Sequence, residues 1–233
     1  MNTLHLNADF DQRVVVPPPG ATGWLASPQP GVQRHRLDRV GGEVARATSI
    51  VRYDAGSSFA RHSHGGGEEF LVLEGTFSDE HGDYAAGSYV RNPPGTSHQP
   101  FSRNGCTLFV KLWQFTAGDT EPVHIATRET AWRPGLVPGL ALMPLHEFDG
   151  ISTALVRWAP HTRFNTHTHP GGEEILVLEG LFRDEHGEYP AGAWLRNPRA
   201  SRHTPFTGAE GALIYVKVGL FGAELLQPAP PGA

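Results

Sequence analysis

The sequence contains very little cysteine: Cys106 is the single one among 233 residues. One thiol cannot form an intramolecular disulfide or supply the several sulfur ligands of a cysteine-based zinc site. Such low thiol content fits a reducing compartment. We therefore expect a cytoplasmic protein.

Long apolar runs and an excess of basic residues are also missing. No stretch approaches the ~18 apolar residues that a membrane helix requires, and residues 1–10 contain Asp9 and no apolar core of a secretory signal. The net charge of −5 argues against a surface for nucleic-acid phosphates. We predict neither a membrane nor a nucleic-acid partner. No Gly-rich phosphate loop, nucleophile elbow or Ser-His-Asp arrangement is found.

Glycine and proline, by contrast, are abundant, with 28 and 20 residues, while charged residues make up 18% of the chain. Short apolar runs separated by these residues are typical of an all-β protein. Residues 70–73 and 175–178 are apolar at every position, so both faces of these predicted strands need cover. A barrel or a two-layered sandwich provides that cover.

The chain also contains an internal repeat with an offset of 105 residues. Residues 62–101 and 167–206 align without a gap and are identical at 25 of 40 positions. Self-similarity at a fixed offset indicates a duplicated structural unit. We predict two tandem domains, 1–118 and 119–233, each large enough to bury its own core.

Each copy of the repeat keeps three histidines and a glutamate at the same spacing. Two histidines that are two apart share one face of a strand, and the glycines after them let the chain turn back toward the site. Imidazole and carboxylate ligands suit divalent transition ions such as Fe, Mn, Ni, Cu or Zn. We predict one ion per domain, bound in the first by His62, His64, Glu68 and His98, and in the second by His167, His169, Glu173 and His203.

These spacings resemble the two motifs of the cupins. Gly56, His62-x-His64, Glu68 and Gly75 match the first motif position by position, and Gly87, Pro93-x-Gly95 and His98 match the second. Ser102 replaces the usual Asn of the second motif. In the other copy, departures occur at His161, Ala200 and Thr207, while the four candidate ligands stay in register. The resemblance implies two cupin domains, antiparallel barrels or jelly rolls, in a bicupin.

Within the cupins, the Gly-Gly-Glu-Glu stretch at 66–69 and the Asp-Glu-His-Gly-x-Tyr hairpin at 79–84 look most similar to the ChrR-like group. That resemblance implies a metal-dependent dioxygenase acting on a small carbonyl or acid. The alternative is a non-catalytic metal-binding sensor. The ChrR-like group also contains the C-terminal domain of an anti-sigma factor, whose zinc-binding N-terminal domain has paired cysteines. Because this chain has Cys106 alone, the resemblance does not imply the anti-sigma activity. A manganese-dependent decarboxylase of a small diacid is a third reading, although such chains are usually longer.

Several residues close to the candidate ligands in the sequence are also repeated, and the sequence allows more than one role for them. Glu69 and Glu174 follow the ligand glutamates, and adjacent strand residues face opposite ways, so we expect structural partners or exposed charges. The turn at the glycines leaves a role as ligand open. Arg91 and Arg196 either clamp a carboxylate in the pocket or pair with these second glutamates. A small molecule is the expected partner, and self-association as a homo-oligomer is a further possibility.

Overall fold

Strands make up nearly all of the regular structure. The computed structural model describes residues 4–42 and 44–227. In these residues the one helical element is a turn of 3-10 helix at Leu220–Gly222. None of the described helical structure is long or apolar enough to cross a membrane. The all-β prediction is confirmed.

The strands follow one another closely along the chain. The first part of the chain contains β1 Leu4–Leu6, β2 Val14–Val16, β3 Leu25–Ala26, β4 Val32–Gly41, β5 Ala45–Tyr53, β6 Ser57–Ser58, β7 His62–Ser63, β8 Glu68–Asp79, β9 Gly82–Ala85, β10 Ser88–Asn92, β11 Ser97–His98, β12 Phe101–Ser102, β13 Cys106–Leu112 and β14 Val123–Ala126. The second part contains β15 Arg133–Pro134, β16 Leu140–Phe148, β17 Ile151–Trp158, β18 His167–His169, β19 Glu173–Asp184, β20 Gly187–Pro190, β21 Trp194–Asn197, β22 Ser201–His203 and β23 Phe206–Val218.

The described chain divides into two compact units. The first unit comprises 4–8, 20–42, 44–129 and 224–227, and the second comprises 9–19 and 130–223. Their main sheets have matching antiparallel orders, β1-β4-β5-β13-β8-β10-β14 in the first unit and β15-β16-β17-β23-β19-β21-β2 in the second. In each unit a separate two-stranded ribbon, β7 with β11 or β18 with β22, carries the histidines.

The composition of the units differs from a simple division of the chain near residue 118. The N-terminal strand β2 pairs with β21 and so belongs to the second unit. Strand β14, which lies beyond residue 118, pairs with β10 and completes the corresponding edge of the first unit. The division at 1–118 and 119–233 stays a prediction about the domains. The strand pairing, however, places β2 in the second unit although it precedes residue 118, and β14 in the first unit although it follows residue 118.

The core of each unit lies along the repeated apolar strands. Phe70 and Val72 of β8 are 1% exposed, and Ile175 and Val177 of β19 are 0% and 1% exposed. Their neighbours Leu71 and Leu176, on the opposite face, are buried as well. The predicted cover on both faces is therefore present. The candidate ligands Glu68 and Glu173 lie at the first residues of these buried strands.

Candidate metal centres

The structure brings the four predicted residues of the first unit together. His62 lies opposite His98 where β7 pairs with β11, His64 follows directly, and Glu68 begins β8. One potential ligand atom from each of the four lies within 4.8 Å of the others. The imidazole rings are 4.6 to 5.2 Å apart between centroids. This group is the first cluster.

The second unit repeats this arrangement. His167 lies opposite His203 in the β18–β22 pair, with His169 on the same strand and Glu173 at the start of β19. Their ligand atoms also lie within 4.8 Å of one another. This second cluster is tighter at one point, because Nε2 of His169 is 3.0 Å from Nε2 of His203.

Glycines shape the turn that leads to each glutamate. Gly67 has φ +77°, and a Cβ there would lie 2.3 Å from a ring carbon of Phe115. Gly172 has φ +74° and would meet Phe221 at 2.4 Å. A side chain would therefore clash and also strain the backbone. This is the physical reason for glycine before each ligand glutamate.

Hydrogen bonds fix the ring orientation of all three histidines in the first cluster. His62 Nδ1 donates to the carbonyl of Ala60 across 3.1 Å, and His98 Nδ1 donates to the Asp79 carboxylate across 3.0 Å. His64 Nδ1 is 3.0 Å from Oγ1 of Thr96, whose own proton goes to the Pro93 carbonyl. With Nδ1 acting as donor, each Nε2 keeps its lone pair.

Those Nε2 atoms fit a metal ion. Nε2 of His64 and of His98 is buried and has no hydrogen-bond partner in the described part of the chain. Buried polar atoms without a partner are rare in folded proteins. Ligand histidines that donate Nδ1–H to a carboxylate or carbonyl and turn Nε2 inward are the usual arrangement around a bound ion.

Asparagines orient the carboxylates. Asn92 lies opposite Glu68 in the β8–β10 pair and donates to Glu68 Oε2 across 3.1 Å. Asn197 donates to Glu173 Oε2 across 2.9 Å in the second unit. Each glutamate is also 3.4 to 3.5 Å from histidine Nε2 atoms of its own cluster. The carboxylate oxygens therefore face the histidines.

The electrostatics of the two clusters show competing effects. Burial disfavours the charged form of His98, but the Asp79 hydrogen bond and the charge of Glu68 outweigh burial and raise its pKa. Burial lowers the pKa of His64, and the opposing charge of Glu68 does not reverse this. In the second cluster the pKa of His203 is raised by Asp184 and Glu173 against burial, and burial lowers that of His169.

The two clusters differ in their outer contacts. Asp184 receives hydrogen bonds from the Tyr189 hydroxyl at 2.8 Å and from Arg13 at 3.1 Å. At the equivalent Asp79, Tyr84 is 3.3 Å away. Ser201 stands where Thr96 orients His64, and its buried hydroxyl has no hydrogen-bond partner among the described residues. Around Asp184 the second cluster thus has an additional hydrogen bond, from Arg13, but it lacks the hydroxyl contact that Thr96 makes with His64 in the first cluster.

The second glutamates lie outside both clusters. Glu69 is buried and accepts a hydrogen bond from Arg91 across 3.2 Å, and Arg91 also bonds Asp119 across 2.5 Å. Glu174 accepts from the Trp194 indole across 2.9 Å. Register places Lys111 opposite Glu69 and Lys217 opposite Glu174. A buried charged network therefore occupies the face opposite the ligand glutamates, and Arg91 contributes to it.

Sequence reasoning missed the residues that orient the ligands. Asp79 and Asn92 are repeated as Asp184 and Asn197 at the same offset of 105, so the repeat itself was the available signal. The exposed His81 and His186, in contrast, lie in hairpin turns. They take no part in either cluster.

Antiparallel barrels with a His3Glu cluster in each unit define tandem cupins. The family model of the ChrR cupin-like domain matches residues 11–116 and again 120–222. The chain belongs to this family, and the predicted resemblance is confirmed. No curated protein matches the chain at a significant level.

Solved structures share the fold over nearly the whole chain. A proposed dioxygenase from Nostoc punctiforme has a TM-score of 0.69 at 15% identity, covering 98% of this chain and 87% of that one. A proposed glyoxylate-induced protein from Pseudomonas aeruginosa has a TM-score of 0.73 at 14% identity, covering 99% and 95%. An oxalate decarboxylase from Lactobacillus farciminis, in complex with formate, has a TM-score of 0.61 at 13% identity, covering 84% and 83%. At such identities the likeness shows the fold.

Proposed function

We propose that the protein is a metal-binding bicupin that holds one divalent transition ion, Fe, Mn, Ni or Zn, in each cluster. The ligands would be His62, His64, Glu68 and His98 in the first unit, and His167, His169, Glu173 and His203 in the second. The observation that carries the proposal is the inward orientation, in the first cluster, of the unpartnered Nε2 atoms of His64 and His98 beside a carboxylate oriented by Asn92. In the second cluster the Nε2 atoms of His169 and His203 face each other across 3.0 Å.

We propose further that the first cluster is the site of a dioxygenase reaction on a small carbonyl or acid. The cluster lies at the wall of a cavity of about 680 Å³ that has mostly apolar sides. A cavity of this size and character is typical of small-molecule sites. A bound redox-active ion would supply Lewis acidity toward the substrate and electrons toward dioxygen.

The chain's own residues would hold and shield the reacting groups. Asn92 and Asp79 keep Glu68 and His98 in place, so ligand geometry persists as substrate enters. Phe59 and Phe77 line the cavity beside the histidines, and their apolar rings would restrict the access of water. A reducing, cytoplasmic setting would keep a ferrous ion available.

The first test is metal analysis of the protein as isolated, followed by anaerobic loading with Fe(II), Mn, Ni or Zn. Oxygen consumption is then measured against a panel of β-diketones and related acids, with release of carbon dioxide followed in parallel. Substrate-dependent oxygen uptake by one loaded form supports a dioxygenase. Carbon dioxide release without oxygen uptake points to a decarboxylase.

Protein that retains its metal yet turns over nothing in the panel would favour the non-catalytic sensor. Protein that takes up no transition ion would contradict the whole proposal. The matched controls are His81→Ala and His186→Ala, which remove exposed histidines outside the clusters. Self-association stays a prediction, for which sedimentation is the measurement.

A further inference from the structure

The cavity beside the first cluster contains cationic side chains as well as apolar walls. Arg34 and Arg39 of β4 both line it. The pairing of β4 with β5 places Arg34 opposite the buried Val51, on the face that points into the barrel. Among the described residues that line this cavity, Glu68 is the only carboxylate, and it belongs to the first cluster.

Tyr53 lies in the same cavity and offers a polar group to a ligand. Its side chain lines the cavity, the residue is 7% exposed, and its hydroxyl has no hydrogen-bond partner in the described part of the chain. Burial and the charge of Glu68 raise the pKa of Tyr53 well above its usual value, whereas the charge of Arg34 acts in the opposite direction. The phenol is therefore a neutral donor in the same cavity as Arg34 and the first cluster.

The second unit keeps the cluster but not these two groups. Val51 and Tyr53 correspond to Val156 and Trp158 at the repeat offset of 105. Leu142 pairs with Val156, just as Arg34 pairs with Val51. The positions of Arg34 and Tyr53 are thus occupied by leucine, which has no donor, and by tryptophan, whose indole N–H is a donor without a charge. The second unit therefore lacks the cation at this position.

We infer that the first barrel binds a small organic anion whose carboxylate is held by the guanidinium of Arg34 and the hydroxyl of Tyr53. The carbon skeleton packs on the apolar walls formed by Val51, Phe59, Phe77, Leu108 and Val110. The inference rests on the proposed function, since it names the ligand class of the first metal site. It also makes the two units unequal, because the second has Leu142 in place of the cation that pairs with the carboxylate.

The test compares carboxylates with their neutral isosteres. Butanoate to octanoate, benzoate and phenylacetate are each titrated calorimetrically beside the corresponding primary amide, on metal-loaded and on metal-depleted full-length protein. We expect at least one carboxylate to bind about tenfold or more tightly than its amide, because hydrogen bonds to charged groups are strong and directional. Arg34→Leu, which copies Leu142, and Tyr53→Phe should each remove most of this preference.

The matched control is Arg52→Leu. Arg52 is exposed, and its guanidinium lies 3.9 Å from the ring centroid of Trp24 on the outer face of β5. Removing it takes away the same charge without touching the cavity, so the preference for carboxylates should persist. If Arg34→Leu does not fold, Tyr53→Phe still tests the inference, since it deletes only an oxygen.

Equal binding of acids and amides would overturn the inference, and so would a panel in which nothing binds. An unchanged preference in both Arg34→Leu and Tyr53→Phe would overturn it as well. Failure of the proposed function is seen separately, as a protein without metal or without turnover. The carboxylate preference of metal-depleted protein does not depend on either result.

Discussion

His98 donates its Nδ1–H to the carboxylate of Asp79 across 3.0 Å, and His203 faces Asp184 in the same way across 3.3 Å. Each carboxylate lies at the end of the long strand that begins with the ligand glutamate of the same unit. One strand therefore supplies both a candidate ligand and the group that orients another. The pairing ties the geometry of each cluster to the hairpin at the far end of β8 or β19.

Replacing Asp79 should weaken metal binding more than it weakens the fold. In Asp79→Asn the anion that holds His98 Nδ1–H is lost, and changes to such orienting groups typically reduce metal affinity about 10- to 100-fold. Chelator competition on the loaded protein measures the change. Asp83→Asn, which alters an exposed carboxylate in the same hairpin, is the control and should bind metal as the wild type does. Equal affinity in Asp79→Asn and wild type would contradict the assignment.

Removing one histidine from each cluster should show that the two sites bind metal independently. We expect His64→Ala to weaken binding markedly in the first cluster alone and His169→Ala in the second alone, because three remaining ligands still chelate, though less tightly. The double variant should hold far less metal and melt at a lower temperature in the presence of metal. Metal quantification and thermal melting check both. Near-stoichiometric metal in the double variant would show that the ligands are elsewhere.

The fold and the clusters could be predicted from the sequence because both depend on short sequence patterns that occur in each copy of the repeat. The spacing of His62, His64 and Glu68 is preserved in the second copy, and strands β8 and β19 are apolar at consecutive positions. Strand β14 was not foreseen, since its four residues lie in a stretch with little periodicity and pair only at an edge. The exchange of edge strands depends on tertiary pairing that no local pattern indicates.

Arg34 could not be predicted from the sequence for a different reason. It lies outside the block from 62 to 101, where the two copies align most closely, and its counterpart Leu142 is found only from the strand register. A comparison of the copies finds what they share, namely the ligands and the groups that orient them. The groups that make one site different from the other become visible only when the cavity is known.

Arg13 should stabilise the second unit through an ion pair to a buried carboxylate. It belongs to the N-terminal segment, and it donates both to Asp184, whose side chain is fully buried, and to the Tyr189 hydroxyl. In Arg13→Leu a buried carboxylate loses its cationic partner, so we expect a loss of about 1.5–3 kcal/mol in the free energy of unfolding. Urea denaturation measures it.

The control for that experiment is an exposed ion pair made to the same N-terminal segment. Arg199 pairs with Asp11 across 3.1 Å, and both side chains are more than half exposed. Arg199→Leu should therefore cost less than about 1 kcal/mol. Comparable losses in the two variants would show that the buried position of Asp184 adds nothing to the Arg13 contact.

The two adjacent glutamates of the first unit should give opposite results when each is changed to glutamine. Glu68 faces the histidines and is held by Asn92, so Glu68→Gln should lower metal affinity while changing the stability of the metal-free protein little. Glu69 is bonded to the buried Arg91 on the other face of β8. Glu69→Gln should leave metal stoichiometry unchanged but destabilise the fold by about 3–5 kcal/mol, because a buried cation loses a partner.

The double variant Glu69→Gln with Arg91→Met distinguishes a charge effect from simple loss of packing. If the cost of Glu69→Gln comes from the unbalanced Arg91 guanidinium, removing that guanidinium should recover part of the lost stability, and the double-mutant cycle should show a coupling energy. Asp119 also bonds Arg91, so recovery should be incomplete. The assignment of Glu69 as a structural residue fails if Glu69→Gln loses metal as readily as Glu68→Gln does, since a residue on the outer face has no path to the ion.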